Sequence, residues 1–599
     1  MYIYNYNDFI RNPDPDGLKC LQSGWGADHP EEVVDPLNPF PAPYQGIIRE
    51  EFEIGGEVRC VYALIPPNYP SSGPAYQVFL DDGQDGAQFL ADSKWTRLAN
   101  ELGFVLVVFE AGKKWDLSNQ AIREQQYMNA WNHFEYLQQI FITGFSRRYL
   151  IGYGKGAEVA ATIHALSPTA AAALVAYGME DLREEELAKI GAAPSAVEKI
   201  QKGSIPLAAL LIGRDTLPEK ALAYYRKAGE CSDDVGFGRY GHVYRPDLRY
   251  YKLTMETAPV WEVCGATAGE IPEPESPAFF ELVFSFLNRF CRGFGETLNS
   301  PLLARATEEE LDLERGTMIV DGKLREWWIY TPEKCKDRAV KYPFVVFAHG
   351  YSGNGRDYIL EGELRKIADA RGFILCAPTG YRGAETVFRN GRAMQPQWNG
   401  HMECKDGDTD DMHFLDKMMD RIIEEHPVDP GRCYFAGVSN GAMVVCKAMF
   451  LLTHRFTAYL ASSGNMNDTH NPDENILPMD LTVMPHFSKG VKAAFWMAKG
   501  EFDGAMKGMD TTLEPGRSNY ELLKRVAEEN RMRFGQPLCR KNGIWNFSTW
   551  TDEKNAPLVK YTLGDGCPHG FPNDLAWQMW DDFFCHYKRE DDGELVYTP

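Results

Sequence analysis

The sequence predicts two copies of one α/β domain, each a mostly parallel sheet flanked by helices. Three observations carry this. Short runs rich in Val, Ile, Leu and Phe alternate with helical segments, the pattern of parallel strands covered on both faces. The runs then recur in the same order along the chain: YQVFLDDG with YPFVVFAHG, LANELGFVLVVFEAG with IADARGFILCAPTG, YLIGYGKGAEVA with YFAGVSNGAMVV, ALVAYG with YLASSG, and IPLAALLIGRD with VKAAFWMAKGEFD. Their spacing agrees as well. Gly152 to Gly178 is 26 residues and Gly437 to Gly464 is 27, while Gly178 to Gly213 is 35 and Gly464 to Gly500 is 36.

At 599 residues the chain is too long for a single core. The expected domains are 41–296 and 315–599, after an N-terminal extension of 1–40. A linker at 297–314 lies within the polar stretch RGFGETLNSPLLARATEEELDLE, which breaks the strand pattern. Each copy opens with a hairpin. In EFEI-GG-EVRCVYALIPP the turn is Gly55 and Gly56, and in TMIV-DG-KLREWWIYTPE it is Asp321 and Gly322. Both are two-residue turns between alternating strands. In each, an arginine (Arg59, Arg325) follows the second turn residue by three.

The composition is 44% hydrophobic, 13% aromatic and 25% charged, which is globular. A net charge of −23 argues against nucleic acid or anionic membrane as a partner. No apolar run reaches the length of a spanning helix, and the first residues lack a signal peptide's basic start and apolar core. The 13 cysteines are scattered without C-x-x-C pairs. A reduced, cytoplasmic setting is expected, with secretion left open. A homo-oligomer is compatible with all of this.

The second copy carries candidates for nucleophilic catalysis, which needs an exposed hydroxyl, a base, an acid to orient the base, and oxyanion donors. CYFAGVSNGAMVVCKAMF is strand, turn and helix, with Ser439 between Gly437 and Gly441 on a sharp turn. Asp503 follows the strand in KAAFWMAKGEFDG, and His569 follows the strand in KYTLGDGCPHGFP. Ligand-handling groups collect at such C-terminal strand ends. The backbone N–H groups of Asn440 and of Tyr351, in FVVFAHGYSGNG, are the candidate oxyanion donors. His349 lies in that loop as a candidate to shape it or meet substrate. His401 and His413 flank an acidic run, CKDGDTDD, but their spacing is not that of a metal site. Asp410 or Asp411 is expected to cap the helix beginning near Met412.

Together these residues resemble the polyhydroxybutyrate-depolymerase/feruloyl-esterase family of α/β-hydrolases, over roughly 330–587. The most specific stretch is DTDDMHFLDKMMDRIIEEHPVDPGRCYFAGVSNGAM, with the loops AHGYSGNG, KGEFDG and GCPHGFP in matching order. The resemblance implies tandem α/β-hydrolase domains with Ser439 as nucleophile, Asp503 as acid and His569 as base. It also implies a small-molecule or oligomeric ester substrate, and it suggests Trp398 in QPQWNG as a wall for an acyl or aryl group. No cofactor is implied, because this chemistry needs none.

The first copy lacks the set. Gly154 stands where Ser439 does, WEVCGATAGEIPEPE holds no histidine, and Asp81 and Asp82 occupy the oxyanion loop, although Asp215 survives near the acid position. Two roles are open for it: packing against the active copy or completing its pocket, and binding a ligand in its vestigial cleft. His164 and His242 are the histidines available there. For the whole chain the expected activity is hydrolysis of carboxylic esters. A serine peptidase or amidase, and a non-catalytic binding protein with two hydrolase-like domains, are the alternatives.

Overall fold

The structure, a computed structural model, describes residues 3–5, 46–54, 56–66, 73–119, 122, 145–166, 171–185, 207–213, 216–228, 231–237, 241–246, 260–264, 271–292, 302–351, 353–381, 396–400, 409–466, 485–505, 510–567 and 569–599. The described residues up to Arg292, with 302–305, form one compact unit, and those from Ala306 form a second.

The first unit is built on β1 (Ile3–Asn5), β2 (Gly46–Ile54), β3 (Glu57–Ile65), β4 (Ala75–Phe79), β5 (Val105–Phe109), β6 (Arg148–Tyr153), β7 (Ala173–Tyr177), β8 (Ala208–Gly213), β9 (Cys231–Phe237), β10 (Gly241–Pro246) and β11 (Val260–Cys264). Their order across the sheet is β1-β2-β3-β5-β4-β6-β7-β8-β11-β10-β9. A short antiparallel pair, β12 (Phe290–Arg292) with β13 (Leu302–Ala304), follows. The expected linker therefore contains a strand, and then a one-turn helix, Glu308–Leu311, closed by a capping box between Thr307 and Glu310.

The second unit holds β14 (Glu314–Val320), β15 (Lys323–Tyr330), β16 (Tyr342–Ala348), β17 (Ile374–Pro378), β18 (Val428–Val438), β19 (Ala458–Ser462), β20 (Ala494–Gly500), β21 (Leu538–Asn542), β22 (Trp545–Trp550) and β23 (Val559–Gly564). They run β14-β15-β17-β16-β18-β19-β20-β23-β22-β21. Strand for strand this is the order of β2 to β11. In each unit six consecutive strands of the sheet are parallel and are flanked on both sides by antiparallel pairings; in the first unit β1 adds a further, parallel pairing at β2. The fold is tandem α/β-hydrolase. The parallel strands are apolar because both faces are covered. In the second unit the helices Asp411–Glu425, Asn440–Leu451 and Ser518–Glu529 pack Leu415, Met419, Val445 and Leu522 on one face. The helices Glu363–Arg371 and Asn573–Asp581 pack Ile367, Leu575 and Met579 on the other.

The second hairpin closes with Val320 opposite Lys323, and both Asp321 (φ 52°) and Gly322 (φ 74°) have the left-handed backbone that a tight two-residue turn demands. In the first, Ile54 faces Glu57 across the turn; Gly55 lies outside the described residues. The two hairpin arginines are buried and each holds a loop. Arg59 donates to the carbonyls of Ala111 and Lys114. Arg325 pairs with Asp411 at 2.6 Å, its guanidinium 4.0 Å from the centre of the Phe414 ring. Asp411 also accepts from the Asn399 N–H at 2.6 Å, so this carboxylate is a buried brace, while Asp410 is the cap, accepting from Met412 and His413.

Strand register corrects one expected match. Gly154 N–H donates to Tyr177 and Gly178 N–H to Ile212; Ser439 N–H donates to Ser462 and Ser463 N–H to Ala498. Gly178 therefore corresponds to Ser463, not Gly464. Gly437 to Ser463 spans the same 26 residues as Gly152 to Gly178.

Breaking the buried ion pair leaves one charge unpaired. Arg325→Met is expected to lower unfolding stability in urea by about 3–5 kcal/mol, whereas Lys588→Met, at a half-exposed pair with Glu590, is expected to cost under about 1 kcal/mol.

Candidate functional site

Ser439 sits between the end of β18 and the helix Asn440–Leu451 with φ 56° and ψ −121°, a strained conformation for a residue carrying a Cβ. The turn is this tight because three neighbours have no side chain. A Cβ on Gly441 would overlap the Ala348 carbonyl, and one on Gly464 the Ser439 carbonyl; on Gly437 it would press on Gly441. Ser439 precedes the helix yet makes no side-chain capping bond, so its hydroxyl is not spent on the helix end.

Asp503 lies on the short turn Glu501–Ala505 that follows β20, and it is fully buried. One carboxylate oxygen accepts from the Gly500 N–H at 2.8 Å; the other meets the Nδ1 of His569 at 2.6 Å. His569 stands in the loop after β23, its side chain 22% exposed. The acid is thus dry and doubly held, and the imidazole it orients keeps access to solvent. The structure brings Asp503 and His569 together. Among the described residues it forms no hydrogen bond between the Ser439 hydroxyl and the His569 ring.

His349 and Trp398, the candidates for contact with substrate, are both buried and hydrogen-bonded to neighbouring segments. His349 is fully buried. Its Nε2 accepts from the Gly380 N–H at 2.8 Å, which makes Nδ1 the donor to the Gly350 carbonyl at 2.6 Å. Burial pushes its pKa down to about 4, so the ring stays neutral. Trp398 is 3% exposed. Its indole donates to the His349 carbonyl at 3.0 Å, and its backbone exchanges hydrogen bonds of 2.6 and 3.0 Å with the Asn440 side chain. Both residues brace the loop against the elbow helix.

The first unit contains the same brace. Phe79 pairs with Gly152 as Ala348 pairs with Gly437, and the N–H groups of Gly86 and Gly355 donate to Glu110 and Thr379 respectively. Leu80, Asp81 and Asp82 therefore correspond to His349, Gly350 and Tyr351. Trp115 donates its indole N–H to the Leu80 carbonyl at 2.7 Å, as Trp398 does to His349. The tryptophan belongs to the fold, which is why the unit without the serine also keeps one.

The chemistry differs at Asp81. Gly154 retains the elbow's positive φ, at 51°, but a Cβ there would overlap the Asp81 carboxylate. One oxygen of that carboxylate accepts from the N–H groups of Lys155 at 2.8 Å and Asp82 at 2.9 Å. These are the counterparts of Asn440 and Tyr351. In this unit a resident carboxylate occupies those donors itself. His164 is buried, with Nδ1 3.4 Å from the Tyr225 hydroxyl and its pKa pushed down to about 3 by burial. His242 pairs with Glu262 and Phe237 in the β9–β11 edge. Asp215 and His401 lie outside the described residues. His413 is exposed and 2.9 Å from Asp321. Among the described residues there is no cluster of three or more His, Cys, Asp or Glu suited to a metal, and no helix is long and apolar enough to cross a membrane.

No family model matches the chain, and no curated protein matches it. Solved structures similar to it include acetyl xylan esterase from Aspergillus awamori, with 17% identity over 44% of this chain and 98% of that one, at a TM-score of 0.32. An S-formylglutathione hydrolase from Agrobacterium tumefaciens is 14% identical over 45% of this chain and 92% of that one, TM-score 0.30. A feruloyl esterase module from Clostridium thermocellum is 12% identical over 47% and 92%, TM-score 0.27. At these scores the likenesses add nothing to the fold, which rests on strand order and register.

Gly154→Ser forces a side chain onto Asp81 and is expected to cost about 1–3 kcal/mol. Asp81→Gly in that background is expected to recover part of the loss, a coupling that a double-mutant cycle of urea midpoints measures. Additive losses would place the Asp81 carboxylate elsewhere.

Proposed function

We propose that the second unit is a serine carboxylic ester hydrolase working through an acyl-enzyme. The observation that carries this is the 2.6 Å bond from His569 Nδ1 to the buried carboxylate of Asp503, in the same unit as a serine held at φ 56° on a strand-to-helix elbow. With Nδ1 committed to Asp503, Nε2 is the basic nitrogen. It takes the Ser439 proton as the hydroxyl oxygen attacks the ester carbonyl, then delivers that proton to the departing alkoxide. In the second half water, deprotonated by the same nitrogen, displaces the acid and restores Ser439. Apo sites often hold their catalytic hydrogen bonds long, and the serine–histidine bond is expected to form with substrate bound.

The tetrahedral oxygen is stabilised by the N–H groups of Asn440 and Tyr351. The first unit supports this assignment, since the corresponding N–H groups there converge on one oxygen of Asp81. His349 and Trp398 hold the loop that aims the Tyr351 N–H. The family resemblance of residues 330–587 points to feruloyl, acetyl or hydroxyalkanoate esters. The first unit, with glycine at the nucleophile position and an occupied anion site, takes no part in bond cleavage. No cofactor enters this chemistry.

A panel of feruloyl, acetyl-sugar and 3-hydroxybutyrate esters, with matched amides, tests the proposal. Ser439→Ala is expected to lower kcat on the order of 10⁵-fold and to abolish labelling by a fluorophosphonate, and Asp503→Asn to lower it by about 10⁴-fold. Hydrolysis that survives Ser439→Ala would refute the mechanism.

A further inference from the structure

The loop carrying His569 is fastened by two serines with no assigned role. Ser463 is buried, and its hydroxyl engages both backbone polar atoms of the residue after the histidine: it donates to the Gly570 carbonyl at 2.9 Å and accepts from the Gly570 N–H at 3.0 Å. Ser462, also buried, donates to the same carbonyl at 2.7 Å. The Ser462 carbonyl accepts the N–H of Ser439 at 2.9 Å. A short chain of bonds therefore runs from the elbow, through these serines, to the backbone of the histidine loop.

The first unit supplies an internal comparison. Its residues at these positions are Tyr177 and Gly178, and Gly178 has φ 65°. Ser463 has φ 53°, a left-handed conformation that glycine adopts freely and serine does not. Both units make the same backbone bond here, Gly178 to Ile212 and Ser463 to Ala498, each at 2.8 Å. The fold accepts glycine at this position. The unit whose sequence lacks the histidine has the relaxed residue; the unit that has the histidine carries a strained serine whose hydroxyl grips the histidine's neighbour.

We infer that Ser463, assisted by Ser462, is a positioning residue for His569, an inference that rests on the ester-hydrolase reading above. Asp503 fixes the ring at Nδ1. The serine pair fixes the backbone that carries the ring, and so sets where Nε2 lies relative to the Ser439 hydroxyl. Misplacement by a fraction of an ångström is enough to slow proton transfer.

The test uses the full chain, with Ser463→Gly and, separately, Ser462→Ala. Ser463→Gly reproduces the first unit and relieves the positive φ, which offsets part of the cost of the lost bonds to Gly570, so it is expected to fold and to melt within about 8 °C of the wild type. Its kcat on an aryl ester is expected to fall about ten- to a hundredfold with KM within about twofold, and fluorophosphonate labelling of Ser439 to slow in parallel. Ser462→Ala is expected to move the same way by less. In ¹⁵N-histidine-labelled protein, the low-field Nδ1 proton shared with Asp503 is expected in the wild type and broadened in Ser463→Gly. Wild-type kcat in Ser463→Gly overturns the inference. If the wild type shows no Ser439-dependent hydrolysis, the esterase reading falls by itself, and the proton signal still decides: unchanged in Ser463→Gly, it overturns the clamp.

Discussion

The elbow between β18 and the helix Asn440–Leu451 is the constraint from which the site is built. One residue must reverse the chain at positive φ while the first helical turn crosses the ends of the neighbouring strands at backbone-contact distance. That is why glycines stand at 437, 441 and 464, and why Gly152 and Gly156 stand in the corresponding turn of the first unit, where a Cβ would overlap Ala157 and the Phe79 and Leu80 carbonyls. The same close approach points the helix's first N–H groups and the β16–loop backbone toward one spot. An anion site is thus a by-product of the fold, present before any nucleophile is chosen.

The two units show how little separates the serine-bearing version of this turn from the glycine-bearing one. Strand order, register, the elbow's backbone and the indole brace coincide. In one unit the elbow residue is Ser439 beside Gly350; in the other it is Gly154 beside Asp81, whose carboxylate accepts from the corresponding N–H groups. In the first unit an internal carboxylate satisfies the N–H groups of Lys155 and Asp82 that an empty site would leave to water.

Much of the fold was legible because parallel strands covered on both faces leave short apolar runs, and because those runs recur in order. The antiparallel edge was not. Leu538–Asn542 reads LCRKN and is exposed throughout, so it lacks the apolar run that marks an inner strand. Ser439, Asp503 and His569 were legible as residues at strand ends, since the glycines and apolar runs around them mark the turns. An indole in a loop reads equally as a substrate wall or a brace; the bracing role of Trp398 shows only in its burial and in the matching bond of Trp115. The Gly464 match slipped by one residue because Ser463, at a position suited to glycine, hides the true counterpart of Gly178. Asp81's role depends on a contact with Gly154, 73 residues further along the chain, which no local pattern reports.

In the proposed mechanism Ser439, His569 and the two backbone donors act on one carbonyl. A crystal structure of the chain inhibited by a phosphonate ester tests it most directly. The expected result is phosphorus bonded to the Ser439 oxygen, one phosphonyl oxygen about 2.7–3.1 Å from the N–H groups of Asn440 and Tyr351, and His569 Nε2 within hydrogen-bond reach of the Ser439 oxygen. Phosphorus on another residue, or an adduct on Ser439 with the imidazole turned away and the donors empty, would contradict it.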